Sequence, residues 1–379
     1  MTAGRLVLLG TEGEEGQRWE RAVAAMPGAD IYFTPAYNRL FADLNGDEAI
    51  TAVWEVPGGR FLFPLQIRPL SRLPFMHERW VGSLSSCPCF DAASPYGYSG
   101  PLTDAPEGPQ SIELMGEFMK RLAAALRARG VVSLFIRFHP LLGNSRYFPG
   151  DFLDSEKRSE TVFIDLTGPW YKYLTSPCRY EVRKSERRAV QVEAANDNET
   201  WREFGDLYRD TMRRRQAKAW YVFPQAFFEQ TRQQLGPQVA LLVARHAGRI
   251  VAGSLFLRAF GKGHYHLSGS GPEAAKLGAS NRLIVEGAQW CEAGGCATLH
   301  LGGGVVPGDG LWRFKASFSP NRATWDKAGM ILDPDAYNAL VQGRRRYLLG
   351  HGLPAEQEAG RFFPAYRCGL DVDSSRAER

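Results

Sequence analysis

Val239–Ser270, VALLVARHAGRIVAGSLFLRAFGKGHYHLSGS, is the stretch on which the fold turns. Val239–His246 and Arg249–Arg258 read as two strands joined at Ala247-Gly248, and His264–Ser270 reads as a third. Downstream, Ser280–Ala293 is a long helix stopped by Gly294-Gly295, and Ala297–Leu301 is a short apolar strand. A helix between two strands returns the chain to the same end of the sheet, so an antiparallel meander here feeds a parallel pairing.

The same order occurs earlier in the chain. Trp19–Met26 and Ala36–Leu44 read as helices, and Glu48–Glu55 and Arg60–Ile67 as a hairpin around Pro-Gly-Gly. Trp80–Leu84 is a candidate strand, and Asp91–Leu102 (DAASPYGYSGPL) a loop rich in Gly, Pro and Tyr. Ser111–Arg129 places Ile112, Met115, Phe118, Met119, Leu122 and Leu126 at helical spacing, and Val131–Phe138 follows as a strand. In the second half, Pro177–Val190, Asn198–Arg215 and Ala226–Leu235 read as helices ahead of the meander. The repeated order predicts an α/β (α+β) chain of tandem domains, each a mixed, largely antiparallel sheet flanked by helices. The expected division is 1–166, 167–370 and a polar tail at 371–379, with the link near Leu166–Tyr173.

With 379 residues, 44% hydrophobic and 23% charged, the composition is that of a globular chain long enough for two cores. A net charge of +5 favours phosphate-bearing ligands without requiring nucleic acid. No apolar run reaches the roughly 18–20 residues of a membrane span, and the first twenty residues lack a signal-peptide pattern. A cytoplasmic protein is expected. Cys87-Pro-Cys89 is too closely spaced for a zinc knuckle, and the seven histidines form no metal-binding motif, so no metal is expected.

Chemistry concentrates in His300–Pro320, HLGGGVVPGDGLWRFKASFSP. Three glycines, Gly302, Gly303 and Gly304, end a strand; a flexible segment and the pair Phe314–Lys315 follow. Glycines after a strand let backbone N–H groups approach a ligand, and a lysine held against an aromatic ring supplies a fixed cation. A turn before a solvated lysine is the plainer alternative. Arg179, Arg183, Lys184, Arg187 and Arg188 make one basic helix face, either solvated or a track for phosphates. Arg214 is a further phosphate candidate. Tyr96 and Tyr98 sit on the Gly/Pro loop, where they either position a ligand or pack in the turn. Arg137 and His139 stand near a strand end, the histidine either at a core edge or in a site. Glu286, inside an apolar helix, is a candidate general base.

The double pattern resembles paired GNAT-type acyltransferase domains, and its second half resembles the Fem family of non-ribosomal peptidyltransferases. Four blocks carry this: RYEVRKSERR (Arg179–Arg188), YRDTMRRRQAKAWYVFPQAFF (Tyr208–Phe228), GHYHLSGS with SNRLIVEGAQW (Gly263–Ser270, Ser280–Trp290), and LHLGGG with LWRFKASFS. The resemblance implies transfer of an aminoacyl group from aminoacyl-tRNA to the amine of a small biosynthetic or cell-wall-type acceptor. No tightly bound cofactor is implied. It also implies that Phe314 and Lys315 lie beside the reacting carbonyl, and that Thr211 and Arg214, Tyr221, Tyr265 and Asn281 fall on its motifs. SPYGYSGP (Ser94–Pro101) resembles an acceptor-side loop, with the acceptor expected in a cleft involving both domains. The family's helical-hairpin insertion has no counterpart here, and Leu267 replaces its second strand tyrosine. Two alternatives stay open. One is an acyl-CoA or acyl-carrier-protein dependent N-acyltransferase acting on an amino sugar or other amine, although AAKLGASNRL (Ala274–Leu283) has Ala275 where a pyrophosphate loop wants Arg or Gln. The other is a non-catalytic RNA- or phosphate-binding module.

Overall fold

The computed structural model describes residues 4–77, 89–149, 152, 159–306, 308–355 and 362–370. The candidate strand Trp80–Leu84, Cys87 and the tail 371–379 lie outside the described residues. The chain forms two compact units, one from Met1–Arg158 with Trp325–Val372 and the other centred on Ser159–Thr324.

In the first unit the order is β1 (Val7–Leu9), α1 (Gly13–Ala24), α2 (Pro35–Asn45), β2 (Glu48–Val56), β3 (Gly59–Pro69), β4 (Phe90–Ala93), β5 (Leu102–Thr103), α3 (Pro109–Ala128) and β6 (Val131–Arg137). The expected loop at Asp91 therefore begins as a strand. Antiparallel pairs β1–β2–β3–β4 lead to β6, which lies parallel to β4 through Ala92–Leu134 and Ala93–Phe135. Helix α3 turns Met115, Phe118, Met119, Leu122 and Leu126 onto this sheet, where Trp54, Phe61 and Phe63 are also buried. Ile112 falls off that face and is exposed.

The second unit runs β7 (Ser159–Asp165), α4 (Ser176–Arg187), β8 (Gln191–Ala194), α5 (Asn198–Arg214), α6 (Gln225–Leu235), β9 (Val239–His246), β10 (Arg249–Ala259), β11 (Lys262–Ser270), α7 (Ala274–Leu277), α8 (Ala279–Ala293), β12 (Thr298–Gly302), α9 (Gly310–Ala316) and β13 (Arg322–Trp325). Its sheet order is β13-β7-β12-β11-β10-β9-β8, with β11 and β12 parallel. Helix α8 buries Leu283, Ile284, Gly287, Ala288 and Cys291, positions one helical stripe apart. A Cβ on Gly287 would lie 2.1 Å from the Phe256 ring, so this crossing requires glycine. Each fully buried leucine or isoleucine in that stripe contributes about 2 kcal/mol.

Domain boundaries differ from the expected 1–166 and 167–370. Strand β7 belongs to the second unit's sheet, where it pairs with β12, which moves the boundary back to Arg158/Ser159. The expected link Leu166–Tyr173 is inside that unit, and Trp170–Tyr173 forms a 3₁₀ turn there. In turn β14 (Lys327–Ile331) pairs antiparallel with β6, and the chain from Trp325, the last residue of β13, onward belongs to the first unit. Helix α10 (Pro334–Gly350) follows it. Each parallel strand gains its outer neighbour from sequence lying beyond the repeated pattern.

Candidate functional site in the second unit

Strands β11 and β12 share only three register pairs, Lys262–Thr298, Gly263–Leu299 and His264–His300. Strand β11 runs on to Ser270 against β10, and its register skips His266 between Tyr265 and Leu267. A bulge adds twist and re-aims the strand. The two parallel strands thus part company at the level of Tyr265.

At this point β12 ends in Gly302, with φ +79°, a left-handed turn that favours glycine. A Cβ there would sit 3.2 Å from Lys315 Nζ; one on Gly303 would meet the Glu160 carbonyl at 2.7 Å, and one on Gly304 the Asp309 carboxylate at 2.3 Å. The three glycines are needed by the protein's own close packing. What the sequence reads as a flexible segment is held by Asp309. Its Oδ2 accepts the N–H groups of Val305 (2.7 Å) and Val306 (3.1 Å), and its Oδ1 caps α9 through Trp312 N–H (2.7 Å). An acidic residue three positions before Trp312, ahead of an aromatic run, was the sequence signal for that cap.

Helix α9 carries Phe314 and Lys315. Phe314 packs edge-on against buried Phe318, with centroids 5.2 Å apart. Lys315 is only 8% exposed. Its Nζ donates to the Gly303 carbonyl at 2.8 Å and lies 5.8 Å from the centre of the Tyr265 ring. Burial pulls its pKa from 10.5 down to about 8, against the opposing charge of Asp309. The amine therefore stays a cation at neutral pH, and the carbonyl takes one of its three N–H donors. Burial likewise pushes the Tyr265 phenol above its ordinary value, partly offset by hydrogen bonds with Ser268 and Ser254.

Other expected residues surround this centre differently. Thr211 and Arg214, at the end of α5, clasp the end of β11: Thr211 Oγ1 accepts Ser270 N–H at 2.9 Å and Arg214 donates to the Ser270 carbonyl. Sequence reasoning placed Thr211 on a motif without a task; the structure assigns it this contact. Asn281, in the first turn of α8, points its amide at Cys178 Sγ of α4 (3.5 Å). Glu286 pairs with Arg282 at 2.6 Å, an i,i+4 spacing visible in the sequence. The Tyr221 carbonyl accepts the buried Tyr208 hydroxyl at 2.9 Å.

The basic face of α4 divides. Arg179 folds back on the Leu174 carbonyl and on Ser176 Oγ (3.1 Å). Lys184 pairs with Glu181 and reaches the Ala275 carbonyl at 3.4 Å. Arg183 and Arg187 are exposed, with the Arg187 guanidinium 5.6 Å from the centre of the Tyr180 ring.

In the first unit, Tyr96, Tyr98, Arg137 and His139 are brought into one cluster. Leu141 N–H donates to His139 Nδ1 at 3.1 Å, so Nε2 carries the proton and donates to buried Asp30 at 3.0 Å. Tyr98 packs edge-on to both His139 and Trp325, at 6.4 and 5.8 Å. Tyr96 stacks on Phe41 at 4.8 Å. Arg137 lies over the Trp325 ring at 5.0 Å and donates to the Gly97 carbonyl at 3.4 Å. Its buried Nε has no hydrogen-bond partner among the described residues.

Residues 176–315, from the start of α4 to Lys315, match the family model for an acetyltransferase (GNAT) domain. Among solved structures the chain is similar to FemX, with a TM-score of 0.65 and 13% identity over 85% of this chain and 97% of that one. It is also similar to L-PGS from Bacillus licheniformis, with a TM-score of 0.51 and 12% identity over 89% and 97% of the two chains. No curated protein matches the sequence. The match makes the chain an acyltransferase whose residues 176–315 form a GNAT-type domain. Its fold is similar to that of FemX.

Proposed function

We propose that the chain forms amide bonds by moving an aminoacyl group from aminoacyl-tRNA to the amine of a small biosynthetic or cell-wall-type acceptor. The observation that carries this is Lys315, a buried cation held at the point where β11 and β12 separate. In the proposed step the acceptor amine attacks the ester carbonyl, and the electron pair moves onto the carbonyl oxygen. The Lys315 ammonium stabilises that oxyanion, an effect of about 3–4 kcal/mol for one preorganised donor. Collapse expels the terminal ribose hydroxyl, which takes up a proton while the former amine loses one. The ester is already activated, so orientation and charge stabilisation suffice without a covalent enzyme intermediate. Glu286 is left out of this step because its carboxylate is engaged by Arg282. In the first unit, Tyr98 and Arg137 are proposed as substrate-binding residues, with His139 holding their cluster.

A CoA donor is disfavoured at the start of α8, where its pyrophosphate would need open backbone N–H groups. Gly278 caps that helix, and a Cβ on it would lie 2.3 Å from the Glu181 carbonyl of α4. The test is transfer of labelled amino acid from a charged tRNA pool to small amines, run beside acetyl-CoA. Label reaching an amine only from tRNA, and lost in Lys315→Ala, supports the proposal. Transfer from acetyl-CoA alone overturns it.

A further inference from the structure

Tyr171, Tyr173 and Tyr180 are 59%, 59% and 57% exposed, three large aromatic rings in water within ten residues. Exposed rings this close along the chain offer a contact surface where they lie on one side of it. The segment is held in place from beneath. Trp170 is buried, and Arg179 ties the 3₁₀ turn to the start of α4 through the Leu174 carbonyl and Ser176. On α4, Tyr180, Arg183 and Arg187 recur at i, i+3 and i+7 and share one face. Both acids of the helix are engaged elsewhere, Glu181 by Lys184 and Glu186 by Arg282 of α8. The face is left aromatic and positive.

We propose that this face binds the single-stranded end of an RNA, its bases stacking on Tyr171, Tyr173 and Tyr180 and its phosphates meeting Arg183 and Arg187. The inference rests on aminoacyl-tRNA as the donor and names where that donor docks. Stacking suits any base because every base has a π-face, and neighbouring guanidinium groups follow the backbone. A membrane-seeking surface would mix aliphatic side chains with its cations. Here every exposed large apolar side chain from Trp170 to Arg188 is a tyrosine.

The experiment is fluorescence anisotropy of the full chain with labelled deacylated tRNA, across a salt series. Tyr171→Ala/Tyr173→Ala and Tyr180→Ala should each weaken binding about tenfold or more, with the salt slope unchanged. Arg183→Ala/Arg187→Ala should lower the slope of log K against log salt by about 1.4, two contacts at ~0.7 each. All side chains changed are exposed, and far-ultraviolet circular dichroism confirms that the variants fold. Wild-type tRNA binding that survives all three variants overturns the docking face but leaves the donor standing. Absence of wild-type tRNA binding overturns both. Loss of binding to phosphatidylglycerol vesicles in the variants, with tRNA binding intact, makes the face a membrane contact and refutes the proposal.

Discussion

Lys315→Met should stabilise the protein at neutral pH while removing its activity. In the folded chain burial brings the Lys315 pKa to about 8, against 10.5 ordinarily. The unfolded chain therefore binds this proton more tightly, so wild-type stability rises as pH climbs from about 8 towards about 10.5. At roughly 1.4 kcal/mol per pH unit, holding the buried cation costs about 3 kcal/mol at neutral pH. Methionine escapes that cost and forfeits the Gly303 hydrogen bond, about 1 kcal/mol. A net gain of about 2 kcal/mol at pH near 6.5 should shrink to about zero near pH 9.5, because wild type recovers about 2 kcal/mol over that interval. Calorimetry of the whole chain at the two pH values reads this directly. Aminoacyl transfer should fall about 10²–10³-fold in the variant. In wild type the contribution of the cation should decline as pH rises through about 8. A stability difference that does not change with pH would refute a buried ammonium at this position.

Asp309→Ala removes the acceptor for three backbone N–H groups. It should cost about 1–2 kcal/mol in urea unfolding and lower kcat through a misplaced Lys315 more than it raises KM. Thr211→Val keeps the side-chain shape but deprives Ser270 N–H of its acceptor. Amide exchange at Ser270 should accelerate about tenfold, for roughly 1–2 kcal/mol of local stability lost. In the first unit, Asp91 is buried and accepts from Arg68 (2.6 Å), Arg367 (2.6 Å) and Tyr366 (3.0 Å). Burial pushes its carboxyl up, but Arg367 and Arg68 together outweigh this and hold it below the ordinary range. Asp91→Asn should cost about 3–5 kcal/mol in thermal or urea unfolding, because two guanidinium groups lose their counter-charge. Stability from this network is present at neutral pH and is lost as pH falls through the depressed folded-state pKa.

The sites named from sequence divide by the range of the forces involved. Phe314 and Lys315 could be singled out because an aromatic–lysine step after a strand and glycines is a local pattern. The Asp309 cap and the Arg282–Glu286 pair are equally local, at spacings of three and four residues, although the sequence reading named neither. Arg179 and Lys184 looked like Arg183 and Arg187 in sequence. Only folding separated them, because a carbonyl of the preceding turn takes one and Glu181 with the Ala275 carbonyl takes the other. Asp30 carried no signal, since its partner His139 lies more than one hundred residues away in sequence.

By itself the sequence determined the types of the long helices and of the two hairpins. Alternation, helical spacing and Gly stops act over a few residues and place β9, β10, α8 and α3 close to their observed bounds. Tertiary structure alone decided which sheet each short outer strand joins. Strand β7 could end one domain or begin the next, and β14 could have stayed with the residues before it; seven and five residues carry no information about a distant partner edge. Tertiary structure also decided the chemistry of Lys315. Its pKa depends on burial and on the Gly303 carbonyl and Asp309 around it, an environment assembled by long-range packing.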